Sequence, residues 1–442
     1  MRFSGALLVL GLLGSGCGAP ERSDVLVIVV DTLRANHLHA YGYPRETTPH
    51  LDRLAAAGVR FDVAIATSSW SAPSHPSIMT GLSPDRHGVL GWNDSIDPAA
   101  VTLAERLGER GYATGIFSSH GGLRKAVGEF NRGFQTSFGT SRKHDDRTLD
   151  RALAWIRGAE SPWYAHVILM TMHAPYERYP EEFDRTLFTD LPPAGDRVFP
   201  EVHHTVRIGD HLNSAYYINR YDRSLRHLDA LVGSFLEALH DEGRLRNAHV
   251  VVTSDHGESF GDHGGFGHSA ELYDTLVRVP LLLVGPGVPP GLVWREPVST
   301  LDIVPTLHGL AGLAVPAGLE GIDLSPHLRS GTRPDPRLLL AMLGHNRFGT
   351  TMVRGTRYKL IRYKRRGEEL YDLHADPGEQ HNRIGDASPE VARVLAVLRP
   401  ALDHLGTAED RAADVARPLS DDAAQTLKAL GYLADEDEPP PP

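Results

Sequence analysis

Four short segments carry side chains able to hold a divalent cation and activate a hydroxyl. Asp31 closes the apolar run Val25 to Val30. Ser71-Ala72-Pro73-Ser74-His75-Pro76-Ser77 places a hydroxyl just before a predicted helix start, where free N–H groups and the helix dipole favour an anion. Thr253-Ser254-Asp255-His256-Gly257-Glu258 ends a second apolar run with a carboxylate and an imidazole, and Gly267-His268-Ser269 lies in a glycine-rich stretch that can approach a ligand closely. Asp31, Asp255 and His256, with the Ser71 hydroxyl added, make a hard, oxygen-rich site, for which calcium is the first expectation and magnesium, manganese or zinc the alternatives. Such an ion would ease ionisation of Ser71 and neutralise a tetrahedral anion. Singly these signals are weak. An Asp after a strand is more often a turn former, a lone His is usually structural, and Ser71 or Ser74 would serve equally well as an N-cap. Their coincidence at strand ends raises their weight.

The elements that must position these groups follow from periodicity. Val25–Val30 reads as a fully buried parallel strand, and Asp31 stands where open α/β sheets place ligands. Thr48 and Pro49 open a helix with Leu51, Leu54 and Ala55 on one face. Further buried strands are predicted at Ala113–Phe117, His166–Met170, Val250–Thr253 and Pro280–Val284. Helices are predicted between them at Val101–Arg110, Thr148–Arg157, Ser214–Leu239 and Thr300–Leu310. This alternation predicts an α/β fold, a mostly parallel central sheet with helices on both faces. After about Asp335 the pattern turns to short strands at hairpin spacing: Leu338–Met342, Thr350–Val353, Tyr358–Tyr363 and Glu369–Asp372, then a helix near Pro389–Leu402. That predicts a small C-terminal α+β subdomain with an antiparallel sheet.

The chain has 442 residues, 41% hydrophobic and 23% charged, enough for a large core. A net charge of −11 argues against nucleic acid as a partner, although a few cations can reverse the potential within a cleft. Arg2, the apolar run Ala6–Leu13 and the small residues ending at Cys17 read as an export signal too short to span a bilayer. Gly14-Ser15-Gly16-Cys17 resembles a lipobox with its Leu displaced to Leu13, so residues 1–17 are expected to be a lipoprotein-type signal and Cys17 the membrane's only attachment. The expected address is an exported bacterial lipoprotein of the outer membrane, cell surface or periplasm. The expected division is 24–335 for a catalytic domain, 336–405 for the C-terminal subdomain and 406–442 for a partly disordered tail.

A string of ordered motifs is similar to the sulfatase family of the alkaline-phosphatase superfamily. It comprises Asp24-Val25-Leu26-Val27-Ile28-Val29-Val30-Asp31-Thr32-Leu33-Arg34, Thr48-Pro49-His50-Leu51-Asp52-Arg53-Leu54-Ala55, Pro84-Asp85-Arg86-His87-Gly88 and His173-Ala174-Pro175-Tyr176. Leu272-Tyr273-Asp274, Leu301-Asp302-Ile303-Val304-Pro305 and Glu369-Leu370-Tyr371-Asp372-Leu373 with Asp376-Pro377 and Glu379 complete it, covering about residues 24–385. The resemblance implies a metal-dependent hydrolase of sulfate or phosphate esters in a small molecule or glycan, with Ser71 as nucleophile. By the same resemblance His75 and His173 would bind the anion, and His268 would protonate the leaving oxygen.

The departures from the family pattern bear on the chemistry. The family carries C-x-P-S-R, whose Cys becomes formylglycine; here Ser71 and His75 stand in place of the Cys and the Arg, which argues against formylglycine and for a plain serine. Thr32 replaces the second Asp of a D-D pair, and no lysine matches the family's G-K-W-H segment near Phe117-Ser118-Ser119-His120-Gly121. A sulfated serine lacks the exit that an aldehyde hydrate provides, whereas a phosphorylated serine is open to attack by water at phosphorus. Two other readings stay open: a transferase of a phosphoryl-linked head group, and a non-catalytic surface lipoprotein that binds an anion or glycan.

Overall fold

The computed structural model describes residues 22–91, 93–120, 130–140, 144–176, 208, 210–268, 271–343 and 349–403. Cys17 and the tail from 406 lie outside them.

The unbroken apolar stretches become the centre of a nine-stranded sheet. Its strands are β1 (Asp24–Val30), β2 (Val59–Ile65), β3 (Ala113–Ser118), β4 (Thr136–Gly139), β5 (Trp163–Leu169), β6 (Ala248–Ser254), β9 (Arg278–Val284), β10 (Leu292–Trp294) and β11 (Val298–Ser299). The order is β10-β2-β9-β6-β1-β5-β3-β4, with β11 also on β2. β9 alone runs antiparallel, to both β2 and β6. The fold is therefore the α/β sheet expected, mostly parallel, with one reversed strand that periodicity does not disclose. β2 was not foreseen, because its sequence VRFDVAI mixes charge with apolar residues.

Every residue of β1, β5 and β6 is buried, as strands covered on both faces must be. Leu26, Ile28 and Val30 face one core with the helices Asp145–Gly158 and Ser214–Asp241, while Val25, Val27 and Val29 face another that includes Leu103, Leu107, Val304 and Leu307. The predicted helix boundaries shift by a few residues, and Thr300–Asp302 is a 3-10 turn ahead of the helix Ile303–Leu310.

Between β6 and β9 a small hairpin of β7 (Ser259–Phe260) and β8 (Phe266–Gly267) projects at the sheet's C-terminal edge. The C-terminal chain forms the four-stranded antiparallel sheet expected: β12 (Leu339–Leu343), β13 (Thr350–Arg354), β14 (Tyr358–Tyr363) and β15 (Gly367–Asp372). Its alternation is clear. Leu339, Ala341, Met352, Ile361 and Tyr371 pack on Ile65, Leu272, Tyr273 and Val277, while Val353, Tyr358, Leu360 and Leu370 pack on the helix Pro389–Asp403.

Candidate functional site

Parallel strands end together, so the residues just beyond them meet. Val30 of β1 pairs with Ser254 of β6, which sets Asp31 beside Asp255. His120 follows β3 and His173 follows β5, the next two strands on the other side of β1. Ser71 arrives from the segment after β2, as the first residue of the helix Ser71–Thr80.

Ser71 is not a cap. The N-cap position belongs to Trp70 and makes no side-chain cap bond. The Ser71 Oγ instead lies 3.1 Å from Asp31 Oδ2 and 3.1 Å from His256 Nε2. Ser74 does not cap either; its hydroxyl donates to the Ser68 carbonyl. His256 Nδ1 lies 2.8 Å from the Gly257 carbonyl, which can only accept, so Nδ1 carries the proton and Nε2 presents a lone pair.

Asp255 Oδ2 lies 3.4 Å from His75 Nε2 and 3.4 Å from His256 Nε2, and His120 Nε2 lies 3.5 Å from Asp31 Oδ2. Asp31, His75 and Asp255 are wholly buried and offer ligand atoms within 4.8 Å of one another. Among the described residues neither carboxylate pairs with a Lys or Arg. Among the described residues Asp31 Oδ1, Asp255 Oδ2 and both ring nitrogens of His75 find no hydrogen-bond partner. Buried polar atoms left unmatched in this way are costly, and two such carboxylates with imidazole beside them match the donor set of a divalent cation. Burial, then the Asp255 charge, drive the Asp31 carboxyl well above the usual range. Burial lowers His75 and His120 to about 3 and pushes His256 well down, so these imidazoles are neutral, as ligands must be.

His268 behaves differently. The β7–β8 hairpin returns the chain so that His268 Nδ1 lies 2.9 Å from Glu258 Oε1, while the Tyr176 hydroxyl donates to Glu258 Oε2 at 2.6 Å. Burial alone would lower His268, but Glu258, then Asp31 and Asp255, outweigh it and raise the imidazolium to about 9. Its ring lies 4.6 Å from that of His256 and 5.1 Å from that of His173. His173 Nδ1 is held 2.8 Å from the Ala174 carbonyl.

All of the predicted site residues thus gather at one sheet edge. Asp31, Ser71, Asp255 and His256 are in direct contact, and His75 joins this carboxylate cluster rather than standing apart from it. Thr32, the departure after Asp31, sits at φ 58° with its hydroxyl buried and without a partner among the described residues, and its N–H donates to Asp255 Oδ1 at 3.2 Å. A β-branched residue in that region is strained. Sequence reasoning assigned no role to His120 or Glu258. Their signal was position alone: each lies just beyond a buried strand.

Residues 23–313 match the profile described as Sulfatase, and residues 261–407 match N-sulphoglucosamine sulphohydrolase, C-terminal. The Delta 4,5-hexuronate-2-O-sulfatase of Bacteroides thetaiotaomicron is 28% identical over 465 residues, covering 94% of this chain and 94% of its own. Arylsulfatase A of Homo sapiens is 30% identical over 471 residues, covering 88% of this chain and 89% of its own. The crystal structure of the phosphonate monoester hydrolase of Agrobacterium radiobacter has the same fold, with a TM-score of 0.73 at 21% identity over 87% of this chain and 95% of that chain.

Proposed function

The chain belongs to the sulfatase family and is a hydrolase of ester bonds, and from that premise we propose that it cleaves a sulfated or phosphorylated small molecule or glycan by attack of an unmodified Ser71 hydroxyl. The observation that carries this reading is the Ser71 Oγ, 3.1 Å from both Asp31 Oδ2 and His256 Nε2 and free of any capping role.

Asp31, Asp255 and His256, joined by His75, would hold one divalent metal ion. Its chemistry would be to neutralise the ester's charge and to ease ionisation of the serine. Two imidazoles in the donor set move the expectation from calcium toward manganese or zinc. Asp31 Oδ2 receives the Ser71 proton as Oγ bonds to the sulfur or phosphorus. The bond from that atom to the leaving oxygen breaks, and His268, protonated at neutral pH, donates its Nε2 proton to that oxygen. Water then attacks the sulfur or phosphorus and gives its proton to the now neutral His268; the bond from that atom to Ser71 Oγ breaks, Asp31 returns its proton to Oγ, and inorganic sulfate or phosphate leaves with Ser71 restored. His173 and the N-terminus of the Ser71–Thr80 helix bind the anion. Sulfated uronates come first among candidate substrates, on the name of the Bacteroides relative. A phosphate or phosphonate ester is the second reading, favoured by the plain serine and by His75 where the family carries arginine.

We also propose export as a lipoprotein through Cys17; no helix among the described residues is long and apolar enough to cross a membrane. Purified protein should be assayed on paired aryl sulfate, phosphate monoester, phosphodiester and phosphonate substrates with calcium, magnesium, manganese and zinc. Turnover on at least one is expected, without any acceptor alcohol. No turnover with any pair would reject the hydrolase reading, and product only with an acceptor would make it a transferase.

A further inference from the structure

His120 and His173 sit on separate connections, yet one buried carboxylate touches both. Asp145 is the first residue of the helix Asp145–Gly158 and is 2% exposed. Its side chain does not cap its own helix. Oδ1 and Oδ2 accept the Met170 N–H at 2.9 and 3.0 Å, and Oδ2 accepts the Thr171 N–H at 2.7 Å. Oδ1 also accepts the Ser119 hydroxyl.

These are the first residues beyond two paired strands. β3 ends at Ser118 and β5 at Leu169, with Ser118 opposite Ile168. Past that point the ladder stops, apart from the Ser119 N–H to the Ile168 carbonyl at 3.0 Å. The backbone would be free to splay where His120 and His173 depart. Ser119 precedes His120 directly, and Thr171 lies two residues before His173, whose N–H turns back to the Met170 carbonyl at 3.1 Å. A charged acceptor at a helix N-terminus is electrostatically favoured, and bonds to a carboxylate are stronger than neutral ones.

We propose that Asp145 is a positioning residue: it clamps the ends of β3 and β5 together, and so fixes the spacing of His120 and His173 across the reaction centre. This rests on the reading of the site given above. Asparagine keeps the shape of Asp145 but loses its charge and one of its two acceptor oxygens, so it weakens the clamp at both ends.

The test is amide hydrogen exchange of the whole protein, wild type against Asp145→Asn. The account expects exchange roughly tenfold faster at both 119–120 and 170–174, with amides elsewhere within about twofold. Ser119→Ala removes the hydroxyl's bonds to Asp145 and to the Ile168 carbonyl, leaves the helix sequence untouched, and should loosen 119–120 alone. Unchanged exchange at either segment in Asp145→Asn, loosening spread through the whole molecule, or no change at 119–120 in Ser119→Ala would overturn the clamp. Turnover gives a second readout: the loss caused by Asp145→Asn should vanish in a His120→Ala/His173→Ala background, and full additivity would reject action through those histidines. Exchange does not depend on the substrate, so a wild type that hydrolyses no ester would sink the functional reading while leaving the clamp to stand or fall on its own.

Discussion

Each residue in the site has a distinct demand placed on it by burial. His268 is raised where His75, His120 and His256 are lowered, and Glu258 is the main reason. A raised folded value means the charged form is the one stabilised. Its contribution is complete below the ordinary value of 6.5 and lost as pH climbs through about 9. The pH profile of kcat should therefore show an alkaline limb near 9. Glu258→Gln should move that limb to lower pH, and His268→Gln should remove it along with most of the rate; a limb unmoved by Glu258→Gln would separate His268 from it. The cation site makes an opposite-signed prediction. In metal-free protein, Asp255→Asn should raise the melting temperature, because it relieves repulsion between two buried carboxylates. In protein loaded with manganese the same change should lower it, which thermal scans with and without chelator will read. Asp31, Asp255 and His256 were legible in the sequence because each breaks an apolar run at its end. His75 was legible as a site residue but not as a neighbour of Asp255, since a helix start does not say which way its second turn faces.

At the scale of elements, the site depends on short segments that backbone contacts hold against the sheet. Gly257 follows His256, and its N–H donates to the Leu276 carbonyl at 2.7 Å. A Cβ there would stand 2.1 Å from the Thr275 carbonyl oxygen, a rigid backbone atom. Gly257→Ala should force His256 and the Asp274–Val277 turn apart, lowering kcat by more than tenfold and stability by about 1–3 kcal/mol, as kinetics and urea melts would show. An alanine variant with native turnover would mean the segment has slack that the contact denies. The buried strands were readable because β-branched runs leave few alternatives. The direction of β9 and the existence of β2 were not, because reversal is a property of connections and a charged strand is rescued only by its neighbours.

Across the whole molecule, the two sheets meet through charge as well as apolar contact. Lys359, on the β14 face turned toward the larger sheet, is fully buried between Asp274 at 2.8 Å and Glu379 at 2.7 Å. Arg354 also pairs with Asp274 at 2.6 Å. Removing one partner of such a group leaves the others buried and unpaired, which costs about 3–5 kcal/mol. Lys359→Met should therefore destabilise the protein by that amount in chemical denaturation, and activity should fall in the same transition, because Asp274 opens the turn that bonds Gly257. Unchanged stability would show that the C-terminal sheet is an independent appendage. Sequence patterning separated the two sheets by their spacing, but a lysine in a strand reads as solvent-facing until the larger sheet covers it.

The central claim is that Ser71 attacks as an unmodified serine, and mass analysis of the peptide carrying it, from metal-loaded enzyme quenched during turnover, tests this most directly. The account predicts plain serine before substrate is added, and in the quenched sample a fraction heavier by one sulfo or phosphoryl group. A Ser71 peptide lighter by two hydrogens, the mark of an aldehyde, would contradict it, as would substrate turnover with no adduct at Ser71.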